Sequence, residues 1–366
     1  MDVEVFSFFS GLGLLDLGFE DAGFNIVFVN EYDKRFINAY QYARRNSGHI
    51  PIYGYSSKDI REYLSDDVWY HSFPNYDKRD KKLIGFIGGP PCPDFSVAGK
   101  NTGREGANGQ LTSIYTNLII QRKPDFFVLE NVKGLYQTKK HREFYDEIKR
   151  KFRRAGYKLF DSIENALEYG VPQYRNRLFL VGFSTKAFGK KIANPIGAHR
   201  KYSLDKIMEL PWPTLSPFLA DGHLDCPDGI VLDLTVQFWF DKNNVELHPN
   251  GRDVFAVKAY NKYENICEGA TVGKSFKRLH RWRYSPTAAY GNNEVHLHPY
   301  KLRRISVAEA LAVQSAPADF VLPADLPLSS KFKMVGNGVP FLLSQGIAMD
   351  VMDVVQQIIK GGNGNG

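Results

Sequence analysis

The chain has 366 residues, 43% of them hydrophobic, enough to bury a large core and of a length that suits one large domain plus a smaller one. Its 47 basic and 40 acidic residues leave a net charge of +7, which favours polyanionic partners without identifying one. No stretch approaches the roughly 20 apolar residues of a membrane span, the opening "MDVEVFSFFS" lacks the regions of a signal peptide, and Cys92, Cys226 and Cys267 lie too far apart for a disulfide framework or a paired zinc motif; a cytosolic protein with no membrane partner and no metal is expected.

From the start to residue 184, short apolar runs alternate with amphipathic stretches. "VEVFSFF" (3–9), "NIVFVN" (25–30), "KLIGFIGG" (82–89), "PDFFVLEN" (124–131) and "RLFLVGF" (177–183) read as buried strands, because parallel strands covered on both faces are almost continuously hydrophobic. "DKRFINAYQYARRN" and "HREFYDEIKRKFRRAG" have helical spacing and polar outer faces. This alternation predicts an α/β fold with a doubly wound, mostly parallel, Rossmann-like sheet whose ligands sit beyond the carboxyl ends of its strands.

The pattern changes over 185–302, which is rich in Pro, Gly, Asn and aromatics, with candidate strands at "IVLDLTVQFWF" (230–240) and "DVFAVKAY" (253–260); a smaller, irregular, strand-rich domain is expected. "SVAEALAVQS" (306–315) and "GVPFLLSQGIAMDVMDVVQQIIK" (338–360) then read as helices that return to the first domain. The boundaries expected are therefore 1–184, 185–302 and 303–360, with a flexible tail at 361–366.

Gly11 and Gly13 fall where the first strand turns into a helix, a place where glycine lets the backbone pass close to a ligand. Glu31 lies about 20 residues on, at the end of the next strand, where a carboxylate can grip both hydroxyls of a ribose or simply cap a helix. Asp59 has the same two uses, toward an adenine amino group or as a cap. These residues point to a nucleoside-containing cofactor and leave NAD, FAD and S-adenosylmethionine open. Cys92, in the stiff frame "GGPPCPDFS" after the 82–89 run, is a single thiol that needs nearby help to ionise at neutral pH.

In order, "FFSGLG", "NEY", "KDI", "GGPPCPDFS", "ENV" (130–132), "QYRNR" (173–177), "RRISVAEALAVQS" (303–315) and "MVGNGVP" (334–340) resemble the motifs of the C5-cytosine-specific DNA methyltransferases of bacterial and phage type, over nearly the whole chain outside the irregular segment. The resemblance implies methyl transfer from S-adenosylmethionine to C5 of a flipped cytosine in duplex DNA, through a covalent bond from Cys92 to C6. That chemistry needs a nucleophile, because C5 is unreactive until C6 has been attacked. It also wants a carboxyl group near N3, for which Glu130 serves. Arg175 and Arg177 alternate, so in an extended segment both reach the same side, toward O2 of the base and a phosphate.

By the same resemblance the cofactor lies along Phe9, Ser10, Gly11, Leu12 and Gly13, with Glu31 and Tyr32, Asp59 and Ile60, and Pro90, Leu111 and Asn337 completing its pocket. The chain departs from the family pattern at Leu14, where a second adjacent glycine is usual, in "GANGQL" (106–111), which lacks an acid and an arginine, and at Pro93, where glutamine is frequent. None of these removes a group the chemistry requires. The polar, glycine-rich stretch 93–109 suits a lid over flipped DNA, with Ser96 in contact. "KSFKRLHRWRYSPTAAYGNN" (274–293) supplies Lys277, Arg278, Arg281, Arg283 and Thr287 as DNA contacts. The compact length fits a monomer, the protective half of a restriction-modification system with a separately acting endonuclease. Rival readings are a transfer-RNA cytosine methyltransferase, which would be expected to carry a Cys-Phe-Thr element not found here, a catalytically silent DNA-binding protein, and a nicotinamide oxidoreductase, which would leave the cysteine motif idle.

Overall fold

The computed structural model describes residues 2–46, 48–78, 82–91, 107–137, 139–256, 260–272, 276–290 and 295–362. Seven strands form one sheet: β1 (Asp2–Phe8), β2 (Asn25–Asn30), β3 (Tyr55–Ser56), β4 (Lys82–Gly88), β5 (Phe126–Val132), β6 (Tyr157–Asn165) and β7 (Asn176–Ser184), in the order β3-β2-β1-β4-β5-β7-β6. β1 pairs in parallel with β2 and β4, and β4 with β5, whereas β7 runs antiparallel to both its neighbours. The five strands expected from the sequence are present. Aromatic side chains crowd one face of the sheet, where Phe6, Phe8, Phe28, Trp69, Phe86, Tyr115 and Phe152 form one cluster. On the other face Phe19, Ile26, Val181, Ile347 and Val351 form a second, so the sheet is buried on both sides, as a mostly parallel sheet requires.

Helix α1 (Leu14–Asp21) leaves the end of β1 and packs on the C-terminal helix Phe341–Gly362 so closely that a side chain at Gly18 would meet the backbone of Ser344 and Gln345. The return of the chain end to the sheet is thus built into α1. The segment Leu328–Lys360 is long and apolar enough, by length and composition, to cross a membrane, which corrects the expectation that no stretch is. In the fold it is a core element, with Ser344, Ile347, Ala348, Val351 and Val355 fully buried. The same helix runs two residues into the expected tail; residues 363–366 lie outside the described ones.

The 185–302 segment is irregular, as expected, but not strand-rich. Among its described residues only isolated bridges occur, Gln173 to Ser285, Ser216 to Glu268, Arg278 to Leu297 and Leu297 to Arg304. "IVLDLTVQFWF" is a short turn followed by a helix, Val236–Lys242, capped by Thr235, whose hydroxyl accepts from Phe238 N. Val236, Trp239 and Phe240 are its buried residues, at helical and not alternating spacing. "DVFAVKAY" is not a strand over its described residues, and 257–259 lie outside them.

Candidate active site

The parallel strands end at one edge of the sheet, which gathers Phe9 to Gly13 after β1, Glu31 after β2, Gly89 and Pro90 after β4, and Glu130 near the end of β5. The β1 turn is tight. Phe9, Gly11 and Gly13 all have positive φ, at 53°, 56° and 82°. Gly13 caps α1, and a Cβ there would lie 2.3 Å from Tyr40, whereas a Cβ on Gly11 would find no atom within 4 Å. Open space in front of Gly11 is what a ligand passing the backbone requires.

Glu31 closes this turn. Its two carboxylate oxygens accept from Gly11 N at 2.9 Å and Asp33 N at 3.0 Å. Burial raises its affinity for a proton, while the N–H donors of Asp33 and Gly11 oppose that. Asn30 donates to the carbonyls of Ser56 and Lys58, which draws the Asp59 segment beside Glu31. Asp59 itself caps the short helix Ile60–Leu64 in a reciprocal box with Glu62 and pairs with Arg61 at 2.9 Å. Tyr32 exposes 71% of its surface, Ile60 is buried in the core, Pro90 is buried, Leu111 packs partly buried and Asn337 is exposed.

A nucleoside-bearing cofactor fits these residues: the turn offers open backbone at Gly11, a carboxylate beside it and an accessible aromatic ring at Tyr32. Ser10 Oγ is buried in the same turn with no hydrogen-bond partner among the described residues, an unmet polar group of the kind a ligand satisfies.

Glu130 is 9% exposed and sits over the "GGPP" turn, where a Cβ on Gly89 would lie 2.7 Å from its Oε2. Gly89 therefore makes room for the carboxyl group. β7 is antiparallel to β5 and sets Val132 opposite Arg177, so the arginine returns beside Glu130 and its Nε meets Oε1 at 2.9 Å. Burial pushes the Glu130 carboxyl toward its neutral form, and Arg177 and then Arg175 pull the other way. Cys92 and Ser96 lie outside the described residues, as does 93–106 of the expected lid; its last three residues open the helix Ala107–Arg122.

Arg175 does not share Arg177's position. It is 1% exposed and donates to Gln173 Oε1, to Ala288 O at 3.1 Å, to Gly336 O at 2.7 Å and to Gly338 O at 3.1 Å. The sequence places both arginines on one side, toward O2 of the base and a phosphate; the Nη1 and Nη2 groups of Arg175 instead tie three segments together. Gln173 joins the same clasp through Ala288 N, Val313 O and Gln314, a role the sequence reading missed although the residue opens the "QYRNR" motif.

The basic segment divides. Arg278 is fully buried and donates to the carbonyls of Ile266, Tyr263 and His298, and Arg281 is 6% exposed and paired with the buried Glu268. Both hold the segment's own fold, and neither presents its guanidinium to a partner. Lys277 and Arg283 are partly exposed, and Thr287 is exposed with its hydroxyl on Tyr174 O at 2.8 Å.

Residues 3–353 match the family model described as C-5 cytosine-specific DNA methylase. The chain is 48% identical over 363 residues to the Type II methyltransferase M.NmeDI of Neisseria meningitidis serogroup C, covering 96% of this chain and 84% of that protein. It is 32% identical to the Type II methyltransferase M.FnuDI of Fusobacterium nucleatum, covering 96% and 95%. Among solved structures, the S. pombe Dnmt2 methyltransferase shares the fold at a TM-score of 0.59 and 12% identity, covering 97% of this chain and 99% of that one.

Proposed function

The chain belongs to the C-5 cytosine-specific DNA methylase family, so it is a DNA (cytosine-5-)-methyltransferase, and from that premise we propose that it works by a covalent, base-flipping mechanism within a Type II restriction-modification system acting on cytoplasmic duplex DNA. The observation that carries the mechanism is the buried Glu130 carboxyl group, held by Arg177 at 2.9 Å over the turn that leads into Cys92.

S-adenosylmethionine, when bound along Phe9 to Gly13 with Glu31, Tyr32 and Asp59, supplies an electrophilic methyl group. A cytosine stacked in a duplex cannot reach this edge of the sheet, so the base leaves the stack at a cost of a few kcal/mol. The Cys92 thiolate adds to C6, breaking the C5–C6 π bond and moving its electron pair to C5. The charge that builds on the ring is relieved by a proton or hydrogen bond from Glu130 at N3, which burial of Glu130 favours. C5 takes the methyl group as the sulfonium C–S bond breaks, releasing S-adenosylhomocysteine; the C5 proton then departs to solvent, the returning electron pair expels the thiolate, and N3 gives its proton back to Glu130. Arg177 steadies the carboxyl group throughout.

The test is transfer of labelled methyl to mixed-sequence duplex DNA and to transfer RNA. Cys92→Ala is expected to abolish transfer with DNA binding kept, and Glu130→Gln to slow it by about 10²-fold or more. A near-normal rate for Glu130→Gln would remove that residue from the mechanism, and label in RNA alone would reassign the substrate.

A further inference from the structure

We propose that the protein carries a second DNA-backbone surface at the pole opposite the active site, built from the end of helix Lys139–Arg154, the start of β6 and the segment after β7. Within 150–158 ("RKFRRAGYK") and 185–193 ("TKAFGKKIA") there are eight lysines and arginines and no acid. The fold joins the two stretches. Tyr157 pairs with Ser184, Thr185 N donates to Gly156 O at 2.9 Å, and Lys158 Nζ donates to Lys190 O at 3.0 Å. Arg150, Arg153, Arg154, Lys186, Lys190 and Lys191 are all exposed, and among the described residues none of the six forms an ion pair. The acids one turn before Arg150 are already engaged, Asp146 with Lys149 and Glu147 with Lys151.

Two arginines in the last turn complement the helix dipole, which explains Arg153 and Arg154 alone. It does not explain three further unpaired lysines brought alongside from another element. Self-repulsion among six cations costs stability that a polyanion recovers.

The patch is separate from the catalytic edge. Arg177 is the second residue of β7 and Ser184 its last, so seven residue steps, about 23 Å at the rise of a strand, separate the Glu130 pair from Tyr157. A straight duplex seated at Glu130 does not reach round to this pole. The occupant is a second stretch of duplex, held through its phosphates without sequence preference. An enzyme whose substrate is DNA gains from such a surface a means of passing between segments.

The experiment loads the full-length protein with a short immobilised duplex and measures capture of a second, labelled mixed-sequence duplex as salt is raised. The variants are Arg150→Gln/Arg153→Gln/Arg154→Gln and Lys186→Gln/Lys190→Gln/Lys191→Gln, with arginine-to-lysine replacements as the charge-conserving control. Wild type is expected to capture the second duplex. Each neutral triple variant should lose about tenfold in capture and soften the salt slope by about 2 to 3, while methyl transfer to a short duplex is unchanged. Capture equal to wild type in both triple variants, no second-duplex capture by wild type, or stronger recruitment to anionic lipid vesicles than to DNA would each overturn the proposal. Loss of methyl transfer by every protein, wild type included, would instead count against the enzymatic reading.

Discussion

Asp16 lies beneath the glycine turn with no exposed surface, accepting from the hydroxyls of Ser7 at 2.8 Å and Tyr40 at 2.9 Å. Arg44 stacks on Tyr40 and donates to the Gly13 carbonyl, so one cluster supports the turn from below. Burial, only partly opposed by Arg44, raises the Asp16 carboxyl from 3.8 to about 6. Between those values the folded chain holds a proton that the unfolded chain has released. The contribution of this group is therefore complete below pH 3.8 and is lost as pH rises through about 6, a change worth about 3 kcal/mol. Denaturant titrations of wild type and Asp16→Asn across that window should show the wild type losing about that much stability relative to the variant. Parallel pH profiles would mean that Asp16 titrates alike in both states. The residue was not singled out from sequence because an acid inside a helix reads as surface, and only the fold brings Ser7 and Tyr40 to it.

At the scale of the element, the β1 to α1 turn separates two glycines that look alike in sequence. Gly13 combines φ 82° with a Cβ position only 2.3 Å from the Tyr40 ring, whereas Gly11 has φ 56° and open space. Gly13→Ala should cost about 2 to 4 kcal/mol by strain and clash together. Gly11→Ala should cost about 1 kcal/mol and weaken cofactor binding, read by titration calorimetry with S-adenosylhomocysteine. Equal destabilisation by the two substitutions would show that Tyr40 moves aside. Legibility varied in the same physical way. Strands covered on both faces were readable as apolar runs, and the helix at 307–313 was readable too; its Ser306 and Glu309 form a capping box. β6 was missed, because an edge strand with mostly half-buried side chains, "YKLFDSIEN", shows neither a continuous run nor clean alternation. The aromatic stretch 230–240 has the composition of a strand, although Thr235 followed by Val236, Trp239 and Phe240 is the spacing of a capped helix.

For the whole molecule, the question is how an irregular segment of more than 100 residues is held against a rigid sheet. Regular pairing contributes little, so buried side chains do it. Arg175 and Gln173 reach from the approach to β7 into Ala288 and the 336–338 turn, and Ser285 exchanges backbone hydrogen bonds with Pro172 and Tyr174. Inside the segment, Glu268 at 1% exposure takes the Arg281 guanidinium, and Arg278 donates to four carbonyls. Composition alone could not separate such arginines from partly exposed ones such as Arg283, because both kinds sit in one basic run and only burial sorts them. The sorting is testable in a single comparison. Arg281→Ala leaves the Glu268 carboxylate buried without its partner, so it should lower stability by about 3 to 5 kcal/mol. Arg283→Ala and Lys277→Ala, on partly exposed side chains, should leave the melting temperature nearly unchanged and reduce the salt slope of DNA binding by about 1 each. An Arg281→Ala protein that melted like wild type and bound DNA with a shallower slope would place that guanidinium at the phosphates, and would mean that the segment rearranges when it meets the duplex.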